Sequence, residues 1–222
     1  MKFKFIDLFA GIGGLRIPFD ELGGDCVFTS EIDRKCQDTY EINFNERPFG
    51  DIKEITESDL SIIPKHDLLL AGFPCQAFSN AGKRKGFNDT RGTLFYEIEK
   101  ILAFHKPKAF LLENVKGLRS HDGGETLRII LEVLRDTLGY YVPEPEILNS
   151  KDFGVPQNRQ RIYIVGFLKE NNFQYPKPTG IPTRVGDILE PGRVPNKYTI
   201  SDKLWASHKA RKQRNKLNGK GF

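Results

Sequence analysis

The chain has 222 residues, 38% of them hydrophobic, and a formal net charge of +5 at pH 7. This length suits one large domain with a sizeable core, and no apolar run approaches the ~20 residues of a membrane span. Three cysteines without C-x-x-C spacing argue against a disulfide framework and a structural zinc site. The apolar N-terminal stretch is interrupted by Asp7, which argues against a secretory signal. We therefore expect a cytoplasmic protein.

Short apolar strands alternate along the chain with helical segments. The strand patterns lie at 3–9, 26–29, 67–71, 109–112, 140–148 and 161–167, and the helical ones at 15–22, 34–43, 93–105 and 126–138. A very short extended piece precedes Gly50. Strands that alternate with helices of about ten residues imply a mostly parallel sheet covered on both faces. We therefore predict an α/β protein of the Rossmann-like, doubly wound class.

The composition changes after residue 170. Five prolines lie between 171 and 196, which is typical of a linker. From Lys197 onward, eight Lys and Arg residues against Asp202 give +7, so the first 196 residues carry 5 − 7 = −2. A basic end favours a polyanion partner, although on charge alone a solvated, partly disordered tail is the better explanation. We predict three parts: a main domain at 1–170, a Pro/Gly-rich linker at 171–196 and a basic segment at 197–222.

The apolar strand at 67–71 ends abruptly at Gly72, and Pro74 restrains the turn that leads to Cys75. In an open α/β sheet, ligands bind just beyond the carboxyl ends of such strands. Cys75 would therefore stand at the mouth of a site, where a thiol can act as a nucleophile. A small residue packed in a loop is an equally good interpretation of this stretch alone, because free cysteine is often buried.

The first strand runs into a loop with glycines at positions 11, 13 and 14, which can bring backbone N–H groups close to a ligand. Arg16 replaces the third glycine of the dinucleotide fingerprint, so a nicotinamide cofactor is disfavoured. Glu31 ends the second strand and suits ribose hydroxyl groups, and Asp51 could accept from an adenine amino group. Together they predict a site for an adenosine-containing cofactor, while a tight turn and helix caps are the alternatives for each feature alone.

Glu113 follows the buried run at 109–112, and burial favours the neutral form of a carboxyl group. It could then donate a proton or a hydrogen bond near neutral pH. Arg159 and Arg161 occupy alternate positions before the last strand, so both should point to the same side and offer forked donors. The alternatives are a structural ion pair for Glu113 and a charged strand edge for the two arginines.

A thiol, a protonatable carboxyl group and a guanidinium beside an adenosyl cofactor suit methyl transfer to a pyrimidine carbon. C5 of cytosine is a poor nucleophile, but a thiolate that adds to C6 makes C5 nucleophilic. A carboxyl group at N3 and an arginine at O2 would stabilise the shift of charge. This chemistry requires no metal.

Five motifs resemble, in order and spacing, those of the bacterial C5-cytosine-specific DNA methyltransferases of restriction–modification systems. They are DLFAGIGG at 7–14, GFPCQ at 72–76, RGTLF at 91–95, ENV at 113–115 and QNRQR at 157–161. The resemblance covers about residues 3–166. It implies that Cys75 is the nucleophile, that Glu113 contacts N3 and that Arg159 and Arg161 lie in the active site. It also implies that the last strand of the sheet is antiparallel.

The same resemblance implies the cofactor and the substrate. The cofactor is S-adenosyl-L-methionine, contacted by Phe9, Gly11, Gly13, Glu31, Ile32, Asp51, Ile52 and Pro74. The partner is duplex DNA, from which the target cytosine must flip out to reach the thiol. The loop at 76–93 would close over the DNA, with contacts from Gln76, Ser79, Lys83, Arg84, Lys85 and Arg91. Methylation in the bacterial cytoplasm would protect DNA from a cognate restriction endonuclease.

The sequence departs from the family pattern near its end. The basic segment resembles only the start of a target-recognition region, so we expect either a truncated chain or one subunit of a split enzyme with a second polypeptide as partner. An RNA (tRNA) cytosine methyltransferase of the same family shares these motifs. A non-catalytic fragment that binds cofactor and DNA is the alternative from another class.

Overall fold

The structure, a computed structural model, describes residues 2–74 and 94–219. The strands are β1 Lys4–Leu8, β2 Asp25–Ser30, β3 Leu68–Gly72, β4 Ala109–Val115, β5 Glu146–Asn149 and β6 Gln160–Phe167. The helices are α1 Arg16–Glu21, α2 Arg34–Phe44, α3 Ile52–Ser58, α4 Leu94–His105, α5 Glu125–Glu132 and α6 Asp202–Leu217. A π-helical turn, Val133–Thr137, continues α5.

Within the described residues the strands form a six-stranded sheet in the order β2-β1-β3-β4-β6-β5. β1 is parallel to β2 and β3, and β3 is parallel to β4. β6 is antiparallel to both of its neighbours, β4 and β5. The predicted fold class, a mostly parallel α/β sheet with a last antiparallel strand, is therefore confirmed.

Both faces of the sheet are covered. On one face, fully buried strand residues such as Ile6, Leu69 and Phe110 share a hydrophobic core with Ile98 of α4 and Ile130 of α5. On the other face, the Phe5 ring packs against Phe19 of α1, with ring centroids 5.9 Å apart. Alternating side chains on each strand supply both layers, since the strands are buried on both sides.

Three elements differ from the sequence-based prediction. The strand expected at 140–148 is confined to Glu146–Asn149, with one isolated bridge from Tyr141 to Phe167. Pro143 and Pro145 lie between them and cannot donate a ladder hydrogen bond. The very short extended piece is a single bridge between Phe49 and Ser30, followed at once by the unpredicted helix α3.

The described structure divides into two compact units, 1–183 and 184–222. In the second unit, Ser201 caps the exposed helix α6 by accepting a hydrogen bond from the N–H of Leu204. Residues Asp202–Leu217 are therefore helical, which corrects the interpretation of this stretch as a partly disordered tail. The division at 1–170, 171–196 and 197–222 stays a prediction. In the described ranges, no helix combines the length and the apolar character needed to cross a membrane.

Candidate functional site

A pocket of about 530 Å³ opens where β1, β2 and β3 end. Six of the eight residues predicted to contact a cofactor line it: Phe9, Glu31, Ile32, Asp51, Ile52 and Pro74. Ser30, Gly50, Lys53, Gly72 and Leu94 also line it and were not predicted. Parallel strands end at one edge of the sheet, so residues far apart in sequence converge there.

The glycine loop shapes this pocket without lining it. Gly11 and Gly13 have φ angles of +57° and +92°, which favour glycine. A Cβ on Gly13 would also lie 2.1 Å from Cε2 of the Phe44 ring. The N–H of Gly11 donates to Glu31, and that of Gly13 donates to the Ala10 carbonyl oxygen. The N–H groups of Gly11 and Gly13 are therefore already bonded within the protein, and the expectation that the loop brings N–H groups to a ligand stays a prediction for Gly14.

Glu31 and Asp51 supply the carboxylates of the pocket. Glu31 accepts from the N–H of Gly11 at 2.8 Å through Oε2 and from the N–H of Asp33 at 2.7 Å through Oε1. Asp51 caps α3 by accepting from the N–H of Lys53 at 3.0 Å, which is the alternative that the sequence left open. Both side chains are thus held by backbone groups, and each carboxylate retains lone pairs for hydroxyl or amino donors.

A buried polar cluster lies beneath the loop and was not predicted. Arg16 forms ion pairs of 2.8 Å with Asp20 and Glu46, and its guanidinium also donates to the Tyr40 hydroxyl. Asp7 is fully buried, and within the described residues neither of its carboxyl oxygens has a hydrogen-bond partner. Burial raises the pKa of Asp7 to about 8, against the opposing field of Arg16. An acid inside the apolar strand β1 was the signal that could have identified it.

Glu113 and Arg161 form an ion pair, with 2.8 Å between Oε1 and Nε and each side chain 20% exposed. The sequence placed Glu113 just after the buried run at 109–112, whereas in the structure it lies inside β4. There it is directly opposite Gly72, the last residue of β3. A Cβ on Gly72 would be 3.8 Å from the second oxygen, Oε2. The pair holds a carboxylate and a guanidinium beside the end of β3, and it is the ion pair that the sequence left open as the alternative for Glu113.

Arg159 and Arg161 line one pocket of about 370 Å³, together with Lys116. Arg161 lies on the inner strand β6, paired with Val115 of β4 and Leu148 of β5, so it is not at a strand edge. Arg159 is exposed and precedes the strand. Gln160, which lies between them in the sequence, lines the same pocket, so the expectation that the two arginines point to one side stays a prediction. A guanidinium in this pocket can bind an oxygen acceptor or an anion.

Asn114 connects β4 to the turn after β3 through a side-chain hydrogen bond. Its buried side chain donates to the Phe73 carbonyl oxygen at 2.8 Å and accepts from the N–H of Val115 at 2.8 Å. The backbone just before Pro74 is thereby attached to the strand that carries Glu113. The predicted nucleophile and DNA contacts at Cys75, Gln76, Ser79, Lys83, Arg84, Lys85 and Arg91 lie outside the described residues.

The mostly parallel sheet, with its pocket and its ion pair at the strand ends, defines a Rossmann-like α/β protein whose ligands bind at one edge of the sheet. A sequence model of the C-5 cytosine-specific DNA methylase family matches residues 3–222, and the chain belongs to that family.

Relatives of known name agree with this assignment. The type II methyltransferases M.HpaII of Haemophilus parainfluenzae and M.DsaV of Dactylococcopsis salina are 56% and 55% identical to the whole chain, which spans 62% of the length of each. Among solved structures, Dnmt2 methyltransferase of S. pombe superposes with a TM-score of 0.70 and 23% identity, over 92% of this chain and 66% of that one. A DNMT2 mutant from Spodoptera frugiperda gives 0.69 and 25%, over 93% and 65%.

Proposed function

We propose that this protein transfers a methyl group from S-adenosyl-L-methionine to C5 of cytosine in duplex DNA and so protects the DNA from a restriction endonuclease. The observation that carries the proposal is the Glu113–Arg161 ion pair beside the end of β3. Pro74 lies two residues beyond that end, lines the pocket at the ends of β1, β2 and β3, and immediately precedes Cys75 in the sequence. The residues proposed to bind the cofactor and the base thus lie at one edge of the sheet, and the proposed nucleophile follows Pro74 in the sequence.

The pocket residues fit an adenosyl cofactor. Glu31 would accept from the ribose hydroxyl groups, and Asp51 from the adenine amino group. Phe9 and Ile52 add apolar surface to the same pocket. When bound, S-adenosyl-L-methionine would supply an electrophilic methyl group.

In the proposed mechanism, the Cys75 thiolate forms a bond to C6 of a flipped-out cytosine, and C5 becomes nucleophilic. Glu113 contacts N3 and Arg161 contacts O2, where they stabilise the charge that moves into the ring. C5 then takes up the methyl group, and the bond between that group and the donor sulfur breaks, which would leave S-adenosyl-L-homocysteine. Loss of the C5 proton and cleavage of the S–C6 bond release 5-methylcytosine and restore the thiolate. The ion pair supports these roles because it holds the guanidinium in place before the base arrives.

The other two cysteines, Cys26 and Cys36, are disfavoured as nucleophiles. Both are free thiols. Burial raises the pKa of the Cys26 thiol to about 12, and burial is also the largest effect that raises the pKa of the Cys36 thiol. A higher pKa leaves less of the reactive thiolate at neutral pH. The raised pKa values disfavour Cys26 and Cys36 as the nucleophile, which leaves Cys75 for the covalent step.

Duplex DNA is the proposed partner, and its phosphates would need positive charge around the target base. Lys116 and Arg159 bring such charge to the pocket that contains Arg161. The contacts proposed for the loop at 76–93 remain predictions from the sequence.

The test measures tritiated methyl transfer from S-adenosyl-L-methionine to unmethylated phage DNA, which contains every short target sequence, and in parallel to tRNA. DNA that carries 5-fluorocytosine should form a covalent complex, because the intermediate cannot lose fluorine from C5. Cys75→Ser should abolish transfer and trapping, and Cys36→Ser is the matched control that should keep both. Trapping by Cys75→Ser would refute the proposal, and so would no transfer to DNA when a polypeptide that covers the rest of the relatives' length is added to the chain. Transfer to tRNA alone would favour the RNA alternative.

A further inference from the structure

The connection between β5 and β6 is organised by one buried side chain. Asn149, the last residue of β5, is 6% exposed. Its Oδ1 accepts from the N–H of Arg159 at 3.0 Å and from the N–H of Lys151 at 3.4 Å. Its Nδ2 donates to Oδ1 of Asn158 at 2.8 Å. One amide group therefore caps the turn that leaves β5 and binds the segment that enters β6.

The neighbouring residue reinforces the same attachment. The N–H of Ser150 donates to the Arg159 carbonyl oxygen at 3.2 Å, and its hydroxyl donates to the Gln157 carbonyl oxygen at 2.6 Å. Residues 157–159 lie outside the strand ladder, so these bonds to Asn149 and Ser150 substitute for it. The N–H of Arg159 also lies 3.0 Å from the Gln157 carbonyl oxygen, so without Asn149 it would keep only this local contact, two residues back along the chain, and lose its side-chain partner.

Asn149 does not itself face the arginines. It lines a separate pocket with Phe153 and Tyr175, whereas Arg159 and Arg161 line the pocket with Lys116. Any effect of Asn149 on the reaction therefore passes through the groups that it binds, which are the backbone of Arg159 and the side chain of Asn158, itself part of the arginine pocket. This is the arrangement of a residue that supports a functional side chain rather than contacts the substrate.

We propose that Asn149 is a positioning residue that fixes the backbone of Arg159 and thereby sets the geometry of the guanidinium groups at the target base. The effect on the reaction rests on the proposed function, whereas the backbone contact does not. Displacement of a reacting or stabilising group by about 1 Å can cost about 100-fold in rate. Loss of Asn149 should therefore lower kcat and leave the pocket at the ends of β1 to β3 intact.

Three variants separate positioning from general stability. Asn149→Ala removes all three hydrogen bonds of the side chain. Asn149→Asp keeps the acceptor for Arg159 and Lys151 but loses the donor to Asn158 and adds a carboxylate. The Asn158 amide can rotate to donate its NH2 group to that carboxylate, so this variant should rescue most of the function. Asp59→Ala is the matched control, because Asp59 accepts from the N–H of Ser61 in another short turn, which precedes the start of β3.

Two measurements test the proposal on the 222-residue chain. Amide hydrogen exchange at Arg159 should accelerate about tenfold in Asn149→Ala and stay near the wild-type rate in Asn149→Asp. Methyl transfer to unmethylated phage DNA should show a kcat about 10- to 100-fold lower in Asn149→Ala, with KM for S-adenosyl-L-methionine within about twofold of wild type. Asp59→Ala should change neither quantity.

The outcomes divide clearly. Unchanged exchange at Arg159 in Asn149→Ala overturns the proposal, and so does faster exchange with an unchanged kcat. A fall in kcat that Asp59→Ala reproduces at equal loss of stability also overturns it. If the wild-type chain transfers no methyl group even with a polypeptide that covers the rest of the relatives' length, the proposed function fails. The exchange rate at Arg159 then decides alone whether Asn149 fixes that backbone.

Discussion

Asp7→Asn removes the acidic proton from the buried group beneath the glycine loop while it keeps the shape of the side chain. Asp7 is fully buried on β1, and its two carboxyl oxygens have no hydrogen-bond partner within the described residues. Burial raises its pKa to about 8, from 3.8 for the free side chain. The folded protein therefore holds this carboxyl group in its neutral form across much of the physiological range.

This raised pKa predicts the size and the sign of a pH effect. Between about pH 4 and about pH 8, the unfolded chain has released the proton of Asp7 and the folded chain still binds it. The free energy of unfolding therefore falls by about 1.4 kcal/mol per unit as the pH rises. The stabilising contribution is complete below about pH 4 and is lost as the pH rises through about 8. Between about pH 5.5 and pH 7.5, the stability of Asp7→Asn relative to wild type should increase by about 2.5 kcal/mol.

The assay is urea unfolding of both proteins across this pH range, followed by far-ultraviolet circular dichroism. Groups that titrate identically in the two proteins cancel in the difference, so only Asp7 contributes. Parallel pH profiles would show that Asp7 titrates alike in the folded and unfolded chains, and the electrostatic reasoning would then be wrong. A carbon NMR titration of the Asp7 carboxyl group gives an independent midpoint, expected near pH 8.

Two further changes test the loop and the ion pair. Gly13→Ala should lower the free energy of unfolding by about 2 kcal/mol and weaken the calorimetric binding of S-adenosylhomocysteine, because its Cβ would lie 2.1 Å from the Phe44 ring at a φ of +92°. Gly14→Ala, with no atom within 4 Å of the added Cβ, should be tolerated, and equal effects of the two changes would contradict this account. Arg161→Ala should lower the free energy of unfolding by about 2 kcal/mol, since it leaves the Glu113 carboxylate without its guanidinium. Combined with Glu113→Gln, it should cost less than the sum of the single changes, and strict additivity in urea unfolding would show that the pair is not coupled.

Local patterns in the sequence were sufficient for most of the sheet. Five strands were predicted because a short apolar run bounded by turn residues is typical of a buried strand. They are β1, β2, β3, β4 and β6. Helix α3 was missed, since its seven residues carry a weak apolar pattern and only Asp51 marks its start. Strand β5 begins at Glu146, later than predicted, because Pro143 and Pro145 cannot donate ladder hydrogen bonds. Short elements depend on neighbours that a local pattern does not contain.

The sequence was sufficient to propose which residues form the site, but not which hydrogen bonds they make. The order of the motifs was enough to propose Glu113, Arg159 and Arg161 as neighbours, because strands of an α/β sheet end at a common edge. The sequence did not indicate that Glu31 would bind the N–H of Gly11, or that Asn149 would hold Arg159. Those hydrogen bonds join residues 20 and 10 positions apart, and their existence depends on how the loops pack.

The sequence by itself determined the class of sheet, the family resemblance and the residue types of the chemistry, because periodicity and motif order are local or linear properties. Only the tertiary structure decided that Glu113 is paired with Arg161 and that Asp7 is buried with no hydrogen-bond partner among the described residues. It also decided that the N–H groups of Gly11 and Gly13 are already used. The physical reason is that pairing, desolvation and hydrogen-bond satisfaction depend on which atoms become neighbours after folding. Those neighbours come from segments that the linear sequence keeps apart.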